Sequence, residues 1–186
     1  GSSAAPAATE ELKKGLLGGL KLEEQKGEVE LRTGKKKAAF TIELPEGMKD
    51  FSEFPSRKGY RTRKLVLEDK STHEGYSFDI ADADKFGTLG LDAVLDDMTK
   101  GEDFTRNKGK VLEKGTSGDG WFFSATFQEA KKQGVVSMTA LKKGEVGLMC
   151  RGNYEGAEGA TLEPSKIDEI AATLVKVCST LKIEGG

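Results

Sequence analysis

From Lys26 onward, apolar and polar residues alternate with a period of two, the spacing that sends successive side chains to opposite faces of a strand. Val29 and Leu31 alternate with Glu28, Glu30 and Arg32. After Gly34, Ala38, Phe40, Ile42 and Leu44 share one face, opposite Lys37, Ala39, Thr41 and Glu43. Pro45-Glu46-Gly47 stops that run, because proline lacks the ladder donor and glycine allows the turn. Residues 48–59 hold two Phe, Pro55 and Gly59 without a period and predict a loop. Strands follow near 61–69 and 75–82, the second with Tyr76, Phe78 and Ile80 on one side.

The period then lengthens. Leu91, Val94, Leu95 and Met98 form one helical stripe with Asp92, Asp96 and Asp97 toward water, which predicts a helix over 88–99 ended by Gly101. Four strands follow near 108–115, 119–129, 134–141 and 145–153; the second carries Trp121, Phe123, Ala125 and Phe127 on one face. Lys131-Lys132-Gln133-Gly134 and Lys142-Lys143-Gly144 are short enough to join antiparallel neighbours. A closing helix over 164–181 starts at Pro164, a favourable first position, and aligns Ile167, Ile170, Ala171, Leu174, Cys178 and Leu181.

Upstream of the strands, Thr9 can cap a helix bearing Leu12, Leu16, Leu17 and Leu20. Gly15, Gly18 and Gly19 each cost it about 1 kcal/mol relative to Ala. Residues 10–25 therefore predict a marginal helix or linker, residues 1–9 a flexible Ala- and Ser-rich tether, and residues 26–186 a single domain. The predicted class is α+β, an antiparallel sheet covered mainly on one face by helices, with the C-terminal helix packed on it. Without a βαβ series, a G-x-G-x-x-G or a Walker sequence, Rossmann and P-loop folds are excluded.

Composition narrows the chemistry. Among 186 residues, 29 Lys and Arg face 31 Asp and Glu, a net charge of −2, which excludes a nucleic-acid binder held by bulk electrostatics. No apolar run approaches the roughly 20 residues of a membrane span. One His and two Cys cannot assemble the usual zinc clusters, and no cofactor motif is present.

The strand end Phe40-Thr41-Ile42-Glu43-Leu44-Pro45-Glu46-Gly47, followed by a mid-chain helix, a four-strand meander and a C-terminal helix, resembles the PsbP, Mog1 and DcrB-like fold family over residues 37–183. The family includes a photosystem accessory subunit, a Ran-binding nuclear protein and bacterial envelope lipoproteins. It has no shared catalytic site, so the resemblance carries over no functional residue. It implies a non-enzymatic accessory or binding role.

Cys150 shares a strand face with Val146 and Leu148, and Cys178 falls on the apolar stripe of the last helix, so both thiols point toward the layer between sheet and helix. They form either one disulfide or two separate buried thiols; a pair, rather than one or three, suits a single staple. Arg57, Lys58, Arg61, Arg63 and Lys64 surround Tyr60 and offer a patch for phosphate, anionic headgroups or an acidic partner, or else an edge guarded by charge. Alternation divides those charges between two sides. Lys35-Lys36-Lys37 reads as a turn between strands.

Asp82-Ala83-Asp84-Lys85-Phe86-Gly87 opens like a calcium loop, but Phe86 and Ala93 stand where ligating oxygens belong, which leaves an ordinary acidic face. His73 sits in a turn-like Ser71-Thr72-His73-Glu74-Gly75, and neither Ser71 nor Ser77 lies in a nucleophile-elbow sequence. No catalytic residue is assigned.

The expected function is thus a non-catalytic binding module of the bacterial envelope, with another envelope protein or an anionic surface as partner. Its alternatives are an intracellular Mog1-like regulator of a small GTPase and a small carboxylate-dependent hydrolase. Ser2 to Ala8 resemble the stretch that follows the lipidated Cys of a bacterial lipoprotein, which predicts an exported protein, periplasmic or lipid-anchored; a cytosolic location is the alternative.

Overall fold

A computed structural model describes residues 21–32, 36–50, 63–83, 90–117 and 120–185. Its elements run β1 (Leu22–Glu30), β2 (Lys37–Pro45), β3 (Lys49–Asp50), β4 (Arg63–Asp69), β5 (Glu74–Asp82), α1 (Leu91–Thr99) and α2 (Glu102–Arg106). Then follow β6 (Lys110–Ser117), β7 (Gly120–Glu129), β8 (Lys132–Lys143), β9 (Val146–Glu155), α3 (Pro164–Cys178) and β10 (Lys182–Ile183). The protein is α+β, with every described strand pair antiparallel.

Strands β1, β2 and β10 make a three-stranded sheet. The other seven order as β3-β4-β5-β9-β8-β7-β6, so the meander of four consecutive strands occupies one half of the larger sheet. Register fixes its two faces. Phe78 lies opposite Gly152, Gly152 opposite Ser137, and Ser137 opposite Ser124, and this row faces α3. Along the same face Tyr76, Ile80, Leu148, Cys150 and Tyr154 are buried against Ile170, Leu174 and Val177 of α3 and against Phe40, Ile42 and Leu44 of β2. Each large apolar side chain buried here contributes about 1.5–3 kcal/mol.

Helix α3 comes close to the sheet because the row beneath it is small. A Cβ on Gly152 would stand 3.2 Å from Leu174 Cβ and 2.9 Å from Ser137 Oγ. Ser124 and Ser137 are wholly buried in this row, and their hydroxyls have no hydrogen-bond partner among the described residues. Cys178, in the last turn of α3, is bonded to Cys150, with the Cα atoms 5.5 Å apart.

Helix α1 lies on the opposite face. Leu91, Val94 and Leu95 pack on Trp121, Phe123 and Ala140, and the Trp121 and Phe123 rings stack at 5.9 Å. The α+β class and the C-terminal helix packed on an antiparallel sheet are as the sequence pattern predicts, and α1 covers the face that α3 leaves. Trp121 pairs with Ala140 and Phe123 with Met138, so the apolar side of β7 continues on the side of β8 away from Cys150. Both sides of the meander are apolar and each needs its own cover.

Boundaries moved. Strand β1 starts at Leu22, before the boundary at Lys26, because Leu22 continues the ladder opposite Pro45. Helix α1 begins at Leu91 rather than 88, and α3 ends at Cys178, with Lys182–Ile183 instead pairing with β2. The tether and most of the 10–25 segment lie outside the described residues.

Candidate functional site

The face of the large sheet beneath α1 is only partly covered. Strands β5 and β9 alternate strictly: with Phe78, Ile80 and Cys150 buried on one side, Ser77, Asp79, Arg151, Asn153 and Glu155 must fall on the other. These polar residues floor a cleft of about 660 Å³, within the range of small-ligand sites. Its wall is the end of α1 and the first three residues of α2, with Met98 and Phe104 turned inward, and Ala125, Phe127 and Val136 complete the floor.

Short hydrogen bonds hold the wall in place. Gly101 caps the entry to α2, whose first turn carries Glu102 and Asp103, where acidic residues favour the helix dipole. Beyond its end, Lys108 takes φ 51 and Gly109 N–H donates to the Phe104 carbonyl at 2.8 Å. Gln128 N–H on β7 donates to the Asn107 carbonyl at 2.6 Å, which ties the end of α2 to the sheet.

Two aromatic rings depend on missing side chains. Phe104 rests over Gly109, where a Cβ would come within 2.5 Å of the ring, and the end of the Phe127 ring sits over Gly134, where a Cβ would overlap it. Both rings remain half-buried and line the cleft. A smaller hollow of about 250 Å³, which includes His73, Glu68 and Lys132, shares Ser77, Asn153 and Glu155 with it. Glu155 accepts a hydrogen bond from Lys132 Nζ at 2.8 Å, which raises the lysine's pKa.

The residues singled out from sequence lie mostly elsewhere. Arg57, Lys58 and Arg61 lie outside the described residues. Arg63 and Lys64 belong to β4, where their backbones pair with Ile80 and Asp79. His73 is exposed in the β4–β5 turn at φ 57, and the Ser71 hydroxyl donates to Asp69 Oδ1 at 2.6 Å, which lowers the Asp69 pKa. Asp82 Oδ2 accepts from Arg32 N–H at 2.8 Å. No group of three potential metal ligands converges among the described residues, and none of the described helices is long and apolar enough to cross a membrane.

On the far side of the sheet, Tyr154 donates to Glu74 Oε1 at 3.0 Å and packs on Tyr76 at 4.8 Å between ring centres. Burial, then the Glu74 charge, pushes both phenols well above the ordinary tyrosine range.

The cleft went unseen in the sequence. Its signal was present in β9, where Arg151, Asn153 and Glu155 alternate with buried residues, and in Phe104, a lone aromatic within a charged helix.

The sequence matches no family model and no curated protein. Solved structures with a similar fold include LpqN, involved in cell envelope biogenesis of Mycobacterium tuberculosis, at 12% identity and a TM-score of 0.46, over 88% of this chain and 92% of that one. A mutant of the protein Mog1 is similar at 15% identity and a TM-score of 0.44, over 86% of this chain and 96% of that one. At these identities and scores neither likeness bears on activity or partners.

Proposed function

We propose that this protein is a non-catalytic binding module of the bacterial cell envelope, exported and either periplasmic or lipid-anchored. The cleft carries the reading. It is a concave, preformed surface with half-buried aromatic rings at one side and a polar floor at the other, the composition of a recognition site. The wholly buried Cys150–Cys178 disulfide supports an oxidising compartment over the cytosolic alternative.

The test is capture from native envelope extract with three forms of the intact protein: wild type, Phe104→Ser, and Lys176→Ala on the exposed side of α3. The reading predicts one envelope protein retained by wild type and by the Lys176 variant and lost with Phe104→Ser. Equal retention by all three forms, or selective capture of a GTP-bound small GTPase, contradicts it.

A further inference from the structure

We infer that the cleft receives a basic segment of its protein partner, with an apolar or aromatic side chain between Phe104 and Phe127 and an arginine or lysine beside it. The inference rests on the cleft being the binding face and adds the chemistry of what enters it.

Two observations point this way. The first is apolar: Phe104, Phe127 and Met98 present surface to the cleft, and an apolar anchor would take it out of water. The second is charge. Asp97, Asp103, Glu129 and Glu155 stand around those rings, against Arg151 as the one base lining the cleft among the described side chains. Lys132 engages Glu155 at 2.8 Å and Arg106 stands 3.8 Å from Asp103, so Asp97 and Glu129, which pair with no cation among the described residues, carry most of the excess negative charge. A guanidinium in this place gains from carboxylates and from aromatic faces together. An anionic surface would be repelled from it.

The experiment titrates the full, isotopically labelled chain with acetyl-Trp-Arg-Arg-amide, and in parallel with acetyl-Trp-Glu-Glu-amide and acetyl-Ala-Arg-Arg-amide, following backbone amide shifts. Saturable shifts for the first peptide are expected in residues 97–107, 125–129 and 151–155. Phe104→Ala should weaken it about tenfold, a difference of about 1.4 kcal/mol. Asp97→Asn, an exposed change that leaves the core untouched, should weaken it severalfold and flatten its salt dependence. Equal binding of the Glu-Glu peptide, shifts mapping away from the cleft, or no saturable shift with any peptide overturns the inference. If the peptides fail while Phe104→Ser still abolishes capture from the extract, the basic chemistry is wrong and the cleft remains the binding face.

Discussion

The ring of Phe127 is seated over Gly134, its directly opposite neighbour on β8, at a point that any β-carbon would occupy. One strand's aromatic residue is thereby held at the cleft by the other strand's missing side chain. Gly134→Ala must push that ring aside, overpacking the pair at a cost of about 1–3 kcal/mol. Urea unfolding should show the loss, and peptide titration should show weaker binding at the cleft. An unchanged unfolding midpoint would mean that the ring has somewhere else to go.

The bond between Cys150 and Cys178 closes a loop of sequence separation 28 across the sheet–helix core, and both residues are 0% exposed. Replacing both with Ala should lower stability by about 3 kcal/mol. Alkylation read by mass spectrometry should modify neither sulfur after denaturation alone and both after denaturation with reductant. Labelling of the denatured protein without reductant would contradict the pairing.

Ser137 is buried on the face covered by α3, and its hydroxyl has no hydrogen-bond partner among the described residues. Desolvating that hydroxyl costs stability without return, so Ser137→Ala should leave stability unchanged or raise it by up to about 1 kcal/mol. A loss of more than about 1 kcal/mol on calorimetry would reveal a hydrogen bond that this packing does not contain.

Tyr76 and Tyr154 hold their protons to higher pH in the folded state, through burial and the Glu74 charge. Above the ordinary tyrosine pKa of about 10, the unfolded chain binds fewer protons than the native one, so stability falls as pH rises. The unfolding temperature should drop steeply from about pH 10 upward, and Tyr154→Phe should make that slope shallower. A flat profile up to pH 11 in the wild type would count against the buried pair.

The meander and both helical stripes were legible because period alone distinguishes them: Trp121, Phe123, Ala125 and Phe127 cannot share a face except on a strand. The side of the sheet on which α1 lies was not legible. That depends on the register of Phe123 against Met138, which two hairpin turns set and no local pattern announces. β3 and β10, at two residues each, are too short to have a period. The cleft escaped for a related reason: on β9, Arg151 and Asn153 alternate like any solvated face, and only α2 standing over them makes them a floor.

Photocrosslinking in the native host tests the central claim most directly. A benzophenone amino acid would replace Glu102, on the cleft wall, or Ala172, on the exposed side of α3. Binding through the cleft predicts a discrete adduct with one envelope protein from position 102 and none from position 172. An adduct from position 172 alone, or none from position 102, would contradict it.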